Sequence, residues 1–314
     1  MRALVAVCGF PAALVTWGVW AALLIGYLGL HGWPFDLFAN FRVQYMAILA
    51  ICVVALTIVR WRKTALVALV GVAFTTASMA PYFTERPALP PPQSRVLTLL
   101  TFNTWFRNDN VDAVANFLER SGADVLVLQE VDVPRLSEFA ALLPSYPHHT
   151  ATPKVRRGLA IFSRTPISGI EHFEIPERVT RITRARVEWE GQQIVVFGAH
   201  LRWPISRFKA HQRAFELTML AEHVKRETGP VLVAGDFNLT PWSQHFTRFL
   251  DASSLNDCAV GQGLLPTWPS QFWPARIRID HCFASQHWQI RDMKLGPSMG
   301  SDHLPTIVQL ELKR

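Results

Sequence analysis

Val231-Leu-Val-Ala-Gly-Asp-Phe-Asn238 is the stretch on which the reading of this chain turns. Val231–Ala234 is a short apolar run with no polar alternation, the pattern of a strand buried on both faces. The glycine ends the run, and an acid and an amide follow at once. Strand ends are where α/β folds gather ligand sites. A Gly-Asp pair alone fits an ordinary turn equally well, so the question is whether the pattern repeats along the chain.

It does repeat. Thr101-Phe-Asn103 closes an expected strand at Val96–Thr101, and Leu128-Gln-Glu130 closes one at Val125–Gln129. Gly198-Ala-His200 ends Ile194–Ala199; Ile279-Asp280-His281 lies within Arg276–Phe283; Ser301-Asp302-His303 precedes Thr306–Leu310. Leu159–Phe162 is a further strand. Helical patterns fall at about Val111–Arg120, Pro134–Leu142, Ser206–Thr228 and Ser243–Asp251, the longest stopped by Thr228-Gly229-Pro230. Strands and helices mixed from Arg95 onward, without internal repeats, predict one α/β domain with paired sheets.

Each of these polar residues, met singly, reads as a turn or a cap. Together they supply Asn, Glu, His, Asp, Asn, Asp, Asp and His, a donor set suited to metal-assisted phosphoryl transfer. Hard oxygen ligands suit Mg²⁺ or Mn²⁺, and Mg²⁺ keeps several waters and takes only one or two carboxylates. Glu130 and Asp302 are the natural direct ligands, with Asn103 near them. An Asp–His pair can polarise a water, because the carboxylate fixes the imidazole tautomer and favours its protonated form.

The ordered set T-F-N, L-Q-E, G-D-F-N, I-D-H and S-D-H resembles the endonuclease/exonuclease/phosphatase (DNase I-like) superfamily over roughly Val96 to Leu312. The resemblance implies a four-layered αββα sandwich of α/β (α+β) class, with its site at one rim of two packed sheets. The chain is similar in particular to membrane-anchored bacterial members with W-P after the His and P-W-S after G-D-F-N, here Arg202-Trp-Pro204 and Thr240-Pro-Trp-Ser243. Carried over residue by residue, the resemblance gives Glu130 the metal, with Asn103 and Asp302 helping. Asp280 orients His303, which activates water; some accounts of the superfamily make Asp236 the base instead. Asp236 and Asn238 contact the scissile phosphate or a second metal, and His200 stabilises developing charge or protonates the leaving oxygen. Exonuclease III-type members continue L-Q-E with Thr-Lys and place Tyr at the position of His200. This chain has Val131-Asp132 and a His, which points to the DNase I, sphingomyelinase and 5-phosphatase branches.

Substrate contacts are less defined. Lys154 to Arg186 holds eight basic residues and three acids. Arg157 and Arg164 flank a strand expected near the rim, where they would track phosphates; a solvated strand edge fits the charges equally. Trp203, with Trp105, Trp242, Trp268 and Trp273, is a candidate for base stacking, for dipping into headgroups, or for packing. His281 either lines the site or packs. Cys258 and Cys282 read as buried thiols that an oxidising compartment could join.

Composition adds an anchor. Of 314 residues, 50% are hydrophobic and 18% charged, with a mean hydropathy of +0.16. Residues 1–83 hold five basic residues and one acid, Asp36, so they carry +4 of the net +7. The basic balance therefore reports membrane topology more than nucleic-acid binding. Uncharged stretches at about 3–30, 43–59 and 64–83 predict three transmembrane helices, since a span needs about 20 apolar residues. Arg60-Trp-Arg-Lys63 between the second and third stays cytoplasmic. Everything after Phe83 then lies outside the cytoplasm, beyond a stiff Pro-rich linker at 84–94, with the catalytic domain at 95–314. With the bacterial resemblance, this implies the inner membrane.

These readings converge on a divalent-metal-dependent phosphoester hydrolase tethered to the bilayer, with extracytoplasmic nucleic acid as its leading substrate. A lipid-headgroup phosphodiesterase or phosphatase is the alternative; it calls for apolar membrane-dipping loops, for which Leu264 to Trp273 is a candidate. An inactive binding module calls for eroded ligands, and none is eroded.

Overall fold

In the computed structural model, residues 2–84, 91, 92, 94–150, 158–175 and 179–313 are described. Three helices come first: α1 (Arg2–Gly26), α2 (Arg42–Ile58) and α3 (Arg62–Met79). All three are long and apolar enough to cross a bilayer. They pack through Leu23, Leu49, Cys52, Leu56 and Ala68. The first ends at Gly26, before the expected boundary at residue 30. Residues 29–31 and 35–41 form 3₁₀ turns instead. Much of the expected linker (85–90 and 93) lies outside the described residues.

The remaining elements are β1 (Val96–Asn103), α4 (Val111–Arg120), β2 (Val125–Gln129), α5 (Val133–Leu142), β3 (His148–His149), β4 (Leu159–Ser163), β5 (Ile167–Ile175), β6 (Val179–Trp189), β7 (Gln192–His200), α6 (Arg207–Lys225), β8 (Val231–Asp236), α7 (Gln244–Ser253), β9 (Asn256–Asp257), β10 (Asp280–Ala284), β11 (Trp288–Leu295) and β12 (Thr306–Leu312). They build two six-stranded sheets, ordered β11-β12-β1-β2-β4-β3 and β5-β6-β7-β8-β10-β9. Each sheet has one parallel pair, β1/β2 and β7/β8, and α4 and α6 make the crossovers that parallel strands require. α4 and α5 cover the outer face of the first sheet, α6 and α7 that of the second. The result is the four-layered sandwich.

Strand alternation positions the site. On β1, Leu97 and Leu99 face the opposite sheet, while Leu100 and Phe102 face the helices. The inward parity then reaches Asn103 at the strand end. The same rule carries β7 from Ile194 and Val196 to His200, β8 from Leu232 and Ala234 to Asp236, and β10 from Ala284 and Cys282 to Asp280. The polar side chains thus continue, at one rim, the rows that form the inter-sheet core. Gly198 lets the sheets close here: a Cβ there would lie 2.9 Å from Leu159 Cδ2 and 3.0 Å from Val127 Cγ1.

Two expectations are corrected. The strand expected at Arg276–Phe283 begins only at Asp280, because Trp273–Ala275 is a 3₁₀ turn and Ile277 makes an isolated bridge to Trp268. The β5–β6 hairpin and β11 are additional strands; they have polar faces, and bulges break their alternation. His281 packs among Phe237, Phe246 and Phe283 and donates from Nε2 to the Leu239 carbonyl at 2.9 Å. Cys258 and Cys282 are buried free thiols with their sulfurs 3.6 Å apart.

His281 gives a stability prediction. Burial lowers its pKa to about 4 from the ordinary 6.5. Between those values the unfolded chain binds a proton that the folded chain does not, so stability falls as the pH drops through this window. The expected contribution is about 3 kcal/mol across the window. Thermal melts of the full chain from pH 6.5 to 4 should fall more steeply than those of His281→Gln. Parallel curves would show that His281 carries no such linkage.

The three N-terminal helices and their connections are joined to the sandwich by polar contacts. Arg213 on α6 donates to Asp36 at 2.5 Å, with side-chain exposures of 1% and 7%. Ser243 Oγ donates to the same carboxylate at 2.5 Å, and Thr240 Oγ1 to Asn40 Oδ1 at 3.1 Å. Gln44 Nε2 donates to the carbonyls of Pro274 and Arg276, and Tyr82 OH to Asp257. All these anchor residues lie at the helix ends opposite Arg60, Arg62 and Lys63 in the chain's up-and-down path.

Candidate active site

Where the inward rows end, a cavity of about 400 Å³ opens. Asn103, Glu130, His200, Asp236, Asn238, Asp302 and His303 all line it. Asp280 lies behind His303, accepting from His303 Nδ1 at 2.8 Å. The site residues expected at strand ends are thus brought together. Arg164 is not among them. It follows the end of β4 that pairs with Val125, away from the Gln129 end. There it donates to the Ala123 carbonyl at 2.7 Å and lies over the Tyr146 ring. Its charge serves that corner of the fold, which corrects the expectation of a rim residue. Arg157 lies outside the described residues. Trp203 lines the cavity and is 57% exposed.

Asp236 is the hub. Its Oδ2 accepts from Asn103 Nδ2 at 3.1 Å and from Asn238 Nδ2 at 3.3 Å; its Oδ1 accepts from the Asn238 backbone at 2.9 Å. His200 Nε2 and His303 Nε2 each stand 3.8 Å from Oδ2. Gly235 makes this geometry possible: its φ is +146°, and a Cβ there would fall 1.8 Å from the Ala199 carbonyl oxygen. Three non-glycine residues around the cavity, Trp105, Glu130 and Asn238, have φ of +58°, +60° and +51°. Each such backbone costs on the order of 1–3 kcal/mol, and strain of this kind clusters at functional sites.

The electrostatics follow from burial. Burial raises the pKa of Asp236 to about 7; the charge of Asp280 adds to the rise and His303 opposes it. For His303, burial opposes the charge, but the carboxylates of Asp280 and Asp236 outweigh it and raise the pKa to about 10. Asp236, Asp280 and His303 offer ligand atoms within 4.8 Å of one another. Within this group His303 Nδ1 is hydrogen-bonded directly to Asp280 Oδ2.

Glu130 holds the other side. Its Oε2 accepts from the Phe106 backbone at 3.0 Å, and Oε1 is 3.8 Å from His200 Nε2. Asp302 Oδ2 accepts from Trp268 Nε1 at 3.1 Å, whereas its Oδ1 is buried with no hydrogen-bond partner among the described residues. Among those residues no Lys or Arg lies within ion-pair distance of these four carboxylates. Buried carboxylate oxygens short of partners fit a hard divalent cation, with Glu130, Asp302 and the Asn103 amide as the available oxygen donors. Ser301 Oγ donates to the Asn103 carbonyl at 2.7 Å and accepts from the His303 backbone at 3.1 Å, tying the S-D-H turn to the end of β1. Sequence reasoning passed over this serine. It also missed Leu37 and Asn40, from the 3₁₀ turn ahead of α2, which form part of the cavity wall.

The family model described as Endonuclease/Exonuclease/phosphatase matches residues 100–303. Among curated proteins no sequence matches. Solved structures do. An endonuclease/exonuclease/phosphatase from Beutenbergia cavernae DSM 12333 is 22% identical with a TM-score of 0.61, covering 70% of this chain and 72% of its own. D. rerio TDP2 complexed with single strand DNA product is 18% identical, TM-score 0.60, covering 69% and 100%. A beta toxin variant from Staphylococcus aureus with bound magnesium ions is 17% identical, TM-score 0.58, covering 70% and 100%. At such identities the likeness is one of fold.

Proposed function

The chain belongs to the endonuclease/exonuclease/phosphatase family of phosphoester hydrolases, and from that premise we propose a divalent-metal-dependent phosphodiesterase tethered to the bilayer, acting outside the cytoplasm. The observation that carries this reading is the convergence of Glu130, Asp302, Asn103 and the Asp236–His303–Asp280 unit on one cavity. Glu130 and Asp302, with Asn103, would hold the cation, which when bound neutralises phosphoryl charge and orients the ester. The beta toxin structure with magnesium supports that choice of ion. Asp280 fixes the His303 tautomer, leaving Nε2 directed at the cavity 3.8 Å from Asp236 Oδ2, and between them these two groups would take the proton of the attacking water. His200, between Glu130 and Asp236, is placed to stabilise charge on the leaving oxygen.

The division into an anchor at 1–83, a linker at 84–94 and a catalytic domain at 95–314 belongs to the same proposal. Three spans put residues 27–41 and 80–84 on one side and Arg60–Lys63 on the other. The domain packs on the first side, and clustered cations stay cytoplasmic. A C-terminal alkaline phosphatase fusion should be active and a C-terminal fluorescent fusion dark; the reverse would invert the topology.

Two substrate sources remain. Arg107, Arg202 and Lys209 at the cavity, together with the DNA-bound TDP2 structure, support nucleic acid. The anchor wall (Leu37, Asn40) and the exposed Trp203, Ile205 and Phe208 beside the opening support a phosphoester carried in the membrane. Leu37 and Asn40 of the second set come from the anchor itself, and we favour that set. The full chain in nanodiscs with Mg²⁺ or Mn²⁺ should cleave sphingomyelin or phosphoinositides, and chelation should abolish cleavage. Cleavage of plasmid DNA or RNA alone would restore the nuclease reading, and turnover that survives chelation would remove the metal from the proposal.

A further inference from the structure

A second cavity, of about 250 Å³, adjoins the catalytic one and shares Asn40 and Ile277 with it. It lies between the first turn of α2 and the loop 264–278. Val43, Tyr82, Trp242, Leu264, Pro266 and Trp273 give it an apolar lining. Tyr82 and Trp242 meet edge to face at 5.5 Å, and Gln44 closes one side by bonding to the Pro274 and Arg276 carbonyls. Arg278 pairs with Asp257 at 2.5 Å, and Arg276 donates to the Pro269 and Ser270 carbonyls. Apart from Gln44 Oε1 and the Nε and Nη1 of Arg278, which are buried without hydrogen-bond partners among the described residues, the lining is apolar, so an apolar ligand is favoured over most of this space.

Its height matters as much as its lining. Val43 lies in the first turn of α2, and Tyr82 ends the turn that follows α3; both spans reach the bilayer surface here on the proposed topology. Phe272 and Trp273 stand at the rim, 61% and 76% exposed, as aromatic side chains do at the interface. We infer that this cavity is a hydrocarbon-chain subsite: one alkyl chain of an amphiphilic phosphoester enters between α2 and the 264–278 loop while its phosphate occupies the adjoining catalytic cavity. The inference rests on the phosphoesterase reading of that neighbour. It assigns the anchor a share in substrate choice, because Val43 and Asn40 belong to the same chain that tethers the enzyme.

The test uses the full chain in nanodiscs and p-nitrophenyl alkyl phosphodiesters with chains from ethyl to decyl. kcat/KM should rise by up to about fourfold per methylene until the slot is full, then level off. Partition into the disc acts equally on every variant, so the decyl-to-ethyl ratio of wild type against Val43→Phe isolates the slot. That ratio should fall at least tenfold in Val43→Phe, and in the same direction in Trp273→Ala, a change at an exposed side chain. A bromoalkyl phosphonate, which is not hydrolysed, should quench tryptophan fluorescence in wild type and less in Val43→Phe. Hydrolysis with equal ratios in all three proteins would overturn the subsite and leave the phosphodiesterase intact. Quenching that depends on Val43, without hydrolysis of any ester, would retain a chain-binding slot and overturn the catalytic reading.

Discussion

His303→Ala is expected to lower kcat by about 10²–10⁴-fold, the range for removal of a positioned general acid–base group. The fold should survive, since the side chain lies at the cavity and Asp280 beneath it can be rehydrated from there. Asp280→Asn preserves the shape but removes the charge that holds Nδ1–H and supports the imidazolium, so it should share most of that loss. The decisive measurement is the double variant. If Asp280 acts only by orienting and charging His303, the pair should be little slower than His303→Ala alone, because groups that act as one unit are strongly non-additive. Multiplicative losses would mean that Asp280 serves the reaction separately. A His303→Ala enzyme within threefold of wild type would remove the histidine from the chemistry.

The site was legible in sequence because it follows from strand parity. A strand buried on both faces announces itself as an apolar run, and Val96–Thr101, Val125–Gln129 and Val231–Ala234 did so. On β1 and β8 the polar residue that ends the run sits where the inward row meets solvent, which brings Asn103 and Asp236 to one cavity; Glu130, out of the inward parity of Val125 and Val127, reaches the same cavity from just beyond β2 on a backbone with φ +60°. An edge strand carries no such signal: β5 lies at one edge of its sheet and shifts register twice against β6. Arg164 failed for a related reason. Proximity to a strand says nothing about which of its two ends faces the site, and the pairing of Ser163 with Val125 puts it at the other one. Asp36 was visible only as the lone acid in an apolar region. Its partner Arg213 lies 177 residues away, and no local pattern encodes a contact of that span.

That contact is where the anchor should matter most for stability. Breaking a buried ion pair leaves one charge without compensation and costs about 3–5 kcal/mol. In Asp36→Ala the stranded charge is Arg213, whose other nitrogen donates to the Asn238 carbonyl at 2.5 Å. Ser243, the N-cap of α7, loses its acceptor at the same time. Melting of the full chain should therefore fall by roughly 10 °C, and turnover should fall with it, because Asn238 supports Asp236 through two hydrogen bonds. Asp36→Leu combined with Arg213→Met separates the two effects. Apolar replacement of a whole buried pair is often neutral or stabilising, so melting should recover. Turnover should not, since Asn238 remains without its guanidinium. If activity returned along with stability, the anchor would be a fastener alone. If Asp36→Ala left both unchanged, the first loop of the anchor would have no part in shaping the active site.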